Sequence, residues 1–325
     1  MEAIDSEEMR KFAVDMDLLE IDSKEFADMF PAENTHIYNT AAFACLNRGR
    51  CGRLSFLAFR DSRLRGGLVL GLREGDGWCS PFSAPFGGLV VNRGQRVNEI
   101  EEMYRLAARF AGERGLRVTL PPEFMDADLY AKSVNVLTRL SGGKGVAELS
   151  YHVDLRGMVS AEALCNHAAL KNLRRARTAG FTLERLGTDA TNIARVYDVI
   201  RQNRDSHGYV LRMSLEQVVE TSAVVPMELF LLSLGERPAA SALVYRIAPR
   251  VVQVIYWGDM PGFSDLRPMN LLPVEIFNHY ISRGDVDFVD IGPAALAAGT
   301  PNYGLCRFKE SIGCIPSVKW SFEVL

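Results

Sequence analysis

Residues 228–293 read ELFLLSLGERPAASALVYRIAPRVVQVIYWGDMPGFSDLRPMNLLPVEIFNHYISRGDVDFVDIGP, and the punctuation of this stretch decides the fold. Glu228 to Leu234 is apolar and strand-like, Gly235-Glu236-Arg237-Pro238 is a turn, and Ala239 to Ile247 is a second strand. Ala248-Pro249-Arg250 turns the chain again into Val251 to Trp257. After a loop from Gly258 to Pro268, Leu272, Ile276, Phe277, Tyr280 and Ile281 recur at helical steps, which predicts an amphipathic helix closing at Arg283-Gly284. Val286 to Ile291 predicts a further strand that stops at Gly292-Pro293.

The same order stands upstream. Leu54 to Arg60 and Gly66 to Arg73 predict two strands joined by a turn, and Trp78 to Phe82 follows after Glu74-Gly75-Asp76-Gly77. Val97, Ile100, Met103, Leu106 and Phe110 then mark a helix closing near Gly112 and Gly115, before the strand Leu116 to Leu120. Leu57 corresponds to Phe230 and Gly115 to Gly284, an offset close to 170 residues. Helical segments precede each copy, Ser23 to Phe30 and Thr40 to Arg48 in one, Asn192 to Gln202 and Leu215 to Ser222 in the other. The expected fold is α/β, two tandem copies of one unit with mixed sheets flanked by helices, at 1–149 and 150–325. A length of 325 residues favours such a division, because one core becomes hard to extend at that size.

Composition narrows the class. With 48% hydrophobic and 24% charged residues and a net charge of -3, the chain reads as globular, and its balance argues against a chain-wide grip on DNA or an anionic membrane. Met1 to Glu8 is acidic where an export signal would be basic and then apolar, and no apolar run reaches membrane-spanning length, so a cytoplasmic protein without a membrane span is expected. The six cysteines form no CxxC pair and the five histidines lie far apart, so no metal site is expected and the thiols read as reduced and mostly buried.

Helices, an antiparallel meander, then a strand that splays before a helix is the element order of the GNAT acyltransferases. In that fold a glycine-rich loop after the meander offers backbone N–H groups to the coenzyme A pyrophosphate. Here the equivalent stretch, Pro261-Gly262-Phe263-Ser264-Asp265-Leu266-Arg267-Pro268-Met269-Asn270, has one glycine, two prolines and an acid, and Ala84-Pro85-Phe86-Gly87-Gly88 in the first copy lacks the RxxGxG/A pattern. Three other stretches resemble the Fem-type (FemABX-like) aminoacyl transferases and the BioF2-like acyltransferase domains, which carry tandem GNAT-like domains. They are Leu170 to Gly180, Arg283-Gly284 through Gly292, and Asn302 to Gly313, whose Phe308-Lys309, Ile312 and Gly313 resemble the family's terminal F-K-x-x-(aromatic or aliphatic)-G motif. No stretch carries the heptads of the long helical arm that some members insert, so the resemblance is to an armless form.

The resemblance implies transfer of an acyl or aminoacyl group to an amine by direct attack, with no Ser/His/Asp or Cys/His set and no required cofactor. Lys309 would stabilise the oxyanion, a role worth about 3 kcal/mol of barrier for one such donor, and Phe308 would shape the acceptor pocket. Read alone, Lys309 is an exposed lysine at a strand edge. Tyr256 is a candidate donor to the acyl carbonyl, or a core tyrosine. Arg204, with Arg201 almost equivalent, is a candidate phosphate contact, and His207 a candidate acid or base. Lys171 and Arg174, with Arg175 and Arg177, form a basic run that would clamp a diphosphate or a tRNA acceptor stem, or else a solvated helix face. Pro81 to Gly88, with Phe82 and Phe86, is expected to wall a cleft between the domains.

The expected acyl donor is aminoacyl-tRNA or acyl-CoA, and the expected acceptor a small molecule or a peptidoglycan precursor. The alternatives are a CoA-dependent N-acetyltransferase acting on a small amine, and a non-catalytic binding module. The first repeat carries no motif that assigns it a ligand.

Overall fold

The computed structural model describes residues 14–92, 94–295 and 300–325, so the acidic stretch Met1 to Glu8 lies outside the described residues. The chain divides into two compact units, one running to Glu148 and completed by Val318–Leu325, the other Leu149–Ser317. The second domain expected to run through residue 325 therefore ends earlier. The last eight residues return to the first unit because residues 321–324 form an antiparallel ladder with its strand at 116–119.

In the first unit, β1 (Asp17–Ile21) precedes α1 (Ser23–Met29) and α2 (Ala41–Leu46). The meander β2 (Arg53–Arg60), β3 (Leu64–Arg73) and β4 (Gly77–Ser80) follows. The short β5 (Val90–Val91) leads to α3 (Val97–Ala111), β6 (Leu116–Thr119) and α4 (Ala127–Leu140). β4 and β6 run parallel, as a helical crossover requires, whereas β1 to β4 are antiparallel neighbours. The α3 stripe is buried at Ile100 and Met103, which pack with Leu68, Leu70 and Val118, while Val97 lies on the exposed side.

The strand β7 (Gly145–Asp154) enters the second unit with its residues 149–154. Next come α5 (His167–Thr178), β8 (Thr182–Leu186), α6 (Ala190–His207) and α7 (Leu215–Ser222). The second meander is β9 (Met227–Leu234), β10 (Arg237–Ala248) and β11 (Val251–Asp259). It is followed by α8 (Pro268–Arg283), β12 (Phe288–Pro293) and α9 (Tyr303–Ser311), and β13 (Ile315–Val324) closes the chain. The sheet order in this unit is β7-β12-β11-β10-β9-β8.

Val252, Val254, Ala242 and Val244 bury one sheet face against Leu272, Ile276 and Phe277 of α8 and Leu173 of α5. The opposite face meets α6, where the Ser241 hydroxyl donates to the Val196 carbonyl at 2.9 Å. Among the described residues no helix is long and apolar enough to cross a membrane, and no cluster of three or more His, Cys, Asp or Glu could hold a metal ion. The cysteines are unpaired; Cys79, Cys306 and Cys314 are buried, but Cys45 is exposed.

Candidate active site at the splayed strands

β11 and β12 pair over three residues only, Val251–Gln253 with Phe288–Asp290. Beyond them the strands part, and the later half of β11 has no ladder with β12. A bulge sits at the point of parting: Leu243 opposes Tyr256 while Val244 opposes Val254, so Ile255 is the extra residue. Strict alternation would put Tyr256 on the same face as Val252 and Val254. The inserted residue reverses this, and Trp257 instead joins the α8 side, 6.3 Å from the Phe308 ring in an edge-on contact. Tyr256 is thereby turned toward α6.

On that face Tyr256 lies near Tyr197 and Arg204 of α6, with Arg212 and the Met213 backbone close by. Burial pushes its phenol above the ordinary tyrosine range; the Met213 backbone and the two guanidinium groups counter the rise. Arg204 is half-buried, and burial pushes its pKa down, partly offset by Tyr256 and Tyr209. It is nonetheless a cation at any working pH. Other arginines of this unit meet carboxylates: Arg246 holds Asp285 and Arg250 holds Asp287. Among the described residues Arg204 meets none, so its positive charge is directed at the Tyr256 side without an internal counterion.

The end of α6 is fixed by Asn203, whose side-chain amide donates to the Asp259 carbonyl at 2.9 Å and to its carboxylate at 3.1 Å. His207, exposed, shares its Nδ1 with the Asn203 carbonyl at 2.8 Å and stacks on Tyr209. Burial raises the Asp259 carboxyl pKa, with its own backbone and His207 pulling the other way.

Across the splay stands the terminal motif. Lys309 is on α9, 1% exposed, and its ammonium donates to the carbonyls of Gly292 at 2.8 Å, Pro293 at 2.9 Å and Ile291 at 3.3 Å. Its ammonium also lies 5.4 Å from the Tyr151 ring centroid. Lys309 is thus neither at a strand edge nor exposed, and its N–H groups are directed at β12. Those carbonyls belong to a second irregularity, where β12 shifts register against β7 between Asp290 and Gly292. Gly292 has φ 74°, and its N–H donates to the buried Asp290 carboxylate at 2.8 Å, which also accepts from Gln253 at 2.5 Å.

The motif's other members have local reasons. Ile312 is fully buried, and Gly313, at φ 88°, ends α9 where a Cβ would lie 2.3 Å from that of Leu164.

The remaining candidates lie elsewhere. Lys171 and Arg174 are on the exposed face of α5, and Arg177 in the same run is tied to Glu162 and Glu275. Arg201 is held by Asp198 and Asp205, which separates it from Arg204 as an anion contact.

The loop expected to wall a cleft is internal to the first unit. Phe82 and Phe86 are buried, the Gly87 N–H donates to the Thr119 carbonyl at 2.9 Å, and the Gly88 N–H donates to the Ser80 hydroxyl at 3.0 Å. Bonding the ends of both β4 and β6, this loop fills the position that is open between β11 and β12 in the second unit. A Cβ on Gly87 would lie 2.8 Å from the Pro81 nitrogen, so the glycine is required by this close return.

Sequence reasoning missed Asn203, Gly258 and Gly292. The adjacency of Asn203 to Arg204 and the Gly258 that follows Tyr256-Trp257 were the available signals. Neither has a local pattern, because each acts through a contact remote in sequence.

Residues 167–309 match the family model described as an acetyltransferase (GNAT) domain. Among solved structures the fold is similar to the crystal structure of FemX, with TM-score 0.66 and 13% identity over 95% of this chain and 97% of that one. It is similar also to the C-terminal domain (DUF2156) of a putative lysylphosphatidylglycerol synthetase from Agrobacterium fabrum, with TM-score 0.56 and 11% identity over 94% and 93%. A tandem GNAT protein from the clavulanic acid biosynthesis pathway gives 0.51 and 15% over 96% and 99%. At these identities the likeness is one of fold. No curated protein matches the chain in sequence.

Proposed function

From a chain that carries an acetyltransferase (GNAT) domain within a FemABX-like fold, we propose an acyltransferase that moves an acyl or aminoacyl group to an amine by direct attack at the β11/β12 splay. The observation that carries this reading is the pairing of the splay with the Arg204–Tyr256 face. An acceptor or donor phosphate meets the uncompensated guanidinium, and the reacting carbonyl meets the phenol. With its pKa raised, Tyr256 stays protonated at neutral pH and donates to the oxygen that gains charge as the amine adds. The tetrahedral species collapses by expelling the donor's alcohol or thiol, which takes up the proton released by the amine. His207, exposed beside Asp259, is available instead to take the separate proton that an acceptor ammonium loses before it attacks, and to pass it to solvent.

An aminoacyl-tRNA donor is favoured by the loop before α8. The Phe263, Leu266, Arg267 and Asn270 amides donate to carbonyls within or just before the loop, Pro261 and Pro268 have none, and Asp265 adds a negative charge. Few N–H groups are left for a pyrophosphate. Lys171 and Arg174 would then contact the nucleic-acid backbone, and a peptidoglycan precursor or a smaller amine would be the acceptor.

The second reading, an acyl-CoA-dependent N-acetyltransferase, is favoured by the acetyltransferase description of the matching family. Calorimetry decides between them: tight binding of acetyl-CoA selects the second, and binding of a non-hydrolysable aminoacyl-tRNA mimic without acetyl-CoA selects the first. A chain that binds neither donor and turns over no amine is a binding module, and the proposal fails.

A further inference from the structure

We infer that Lys309 is a positioning residue: its buried ammonium holds the splayed end of β12 in place, and it acts on the reaction through that strand. The inference rests on the acyltransferase reading of the splay for its functional half only.

Three carbonyls in succession, at Ile291, Gly292 and Pro293, converge on one nitrogen at 2.8 to 3.3 Å. Successive carbonyls in a regular strand point alternately to opposite sides, so they cannot converge in this way. The convergence needs the register shift after Asp290 and the positive φ of Gly292, and in turn the ammonium is what satisfies carbonyls that have left the ladder with β11. Asp290 fixes the same irregularity from its other side by accepting the Gly292 N–H. Lysine suits the position because an ammonium offers three donors on a stem long enough to cross from α9. The result is a strand end held apart from the later half of β11, whose ladder with β12 stops at Gln253 and Asp290.

The test uses the full chain with Lys309→Met, which keeps the stem and removes the donors. Backbone hydrogen exchange at residues 290–294 is expected to speed up by about tenfold or more, with a lower thermal midpoint, because three converging carbonyls at the strand end lose the ammonium that holds them together. In a working transfer assay kcat is expected to fall together with that protection. Gly292→Ala is the second variant; it disturbs the same irregularity from β12 with the ammonium intact, and is expected to speed exchange at the same residues and lower kcat.

Loss of transfer in Lys309→Met with exchange and midpoint unchanged would make Lys309 a direct catalytic group and overturn the inference. So would a Gly292→Ala protein with native exchange, and this second result decides the matter where Lys309→Met does not fold. Exchange requires no substrate, so failure to find any donor counts against the acyltransferase reading and leaves this one decided on its own data.

Discussion

The side chain of Asn203 lies directly on the backbone of Gly258. A Cβ at that glycine would sit 2.5 Å from the Asn203 Cγ, while the Asn203 amide bonds the adjacent Asp259. This contact joins the last turn of α6 to the end of β11, and so sets Arg204 beside Tyr256. Gly258→Ala should displace Asn203 and cost about 1–3 kcal/mol of stability through overpacking. Chemical denaturation will measure that cost. Transfer should fall further than the stability loss accounts for, because the Arg204–Tyr256 pair is moved; a stable variant with native turnover would dissociate the contact from the site.

Arg204 has no carboxylate partner among the described residues, so replacing it breaks no ion pair. Arg204→Ala should leave unfolding within about 1 kcal/mol of the parent. Binding of a phosphate-bearing donor or acceptor should weaken by about 10- to 100-fold, the worth of charge-assisted hydrogen bonds to one anion. Calorimetry reads the loss, and Arg201→Ala, whose side chain is already paired with Asp198 and Asp205, should show much less.

Tyr245 stands behind Tyr256 on the α6 side of the sheet, 2% exposed, its hydroxyl near Thr221 but too poorly aligned for a normal hydrogen bond. Burial pushes its pKa far above the ordinary tyrosine range, so it stays neutral. Tyr245→Phe removes a buried, poorly bonded hydroxyl and keeps the ring. The expected change in stability is neutral to favourable, by at most about 1 kcal/mol. Tyr256→Phe, by contrast, should lower kcat while the fold persists, and comparing the two variants separates a packing phenol from a reacting one.

The first unit carries a pH response of its own. His36 is buried against the Phe86 ring at 5.1 Å and the Tyr38 ring at 6.0 Å, with the Gly87 backbone beside its imidazole. Burial lowers its pKa to about 4, with the Gly87 backbone offsetting the shift slightly. A histidine whose folded pKa lies below its unfolded value binds fewer protons when folded, so stability rises with pH across the interval between them. From an ordinary value near 6.5 down to about 4, acidification should therefore remove stability, on the order of 3 kcal/mol in all, and below that the slope from this residue should vanish. Denaturation followed between these limits should show the slope, and His36→Phe should flatten it.

Strand, turn and helix succession was legible in both halves, because hydrophobic period and Gly/Pro punctuation are local. Ile100 and Met103 of α3, and Ile276 and Phe277 of α8, are buried as their spacing requires. The GNAT-type order of elements followed from that. The motif at Phe308-Lys309 to Gly313 was visible too, but its chemistry was not, since a lysine's burial depends on what folds over it. The facing of Tyr256 and Trp257 could not be had from strand alternation, because the bulge at Ile255 is a property of pairing with β10 and leaves no mark in the alternation itself.

What the sequence determined by itself was the α/β fold of tandem GNAT-like units and the order of their elements. Only the tertiary structure decided that Val318–Leu325 belongs with the first unit, that the first unit's splay is filled by its own Pro81 to Gly88 loop, and that the Lys309 ammonium is spent on β12. The physical reason is common to all three. Each is a hydrogen-bond assignment between residues far apart in the chain, made where a backbone donor or acceptor leaves its regular ladder and must find a partner in space.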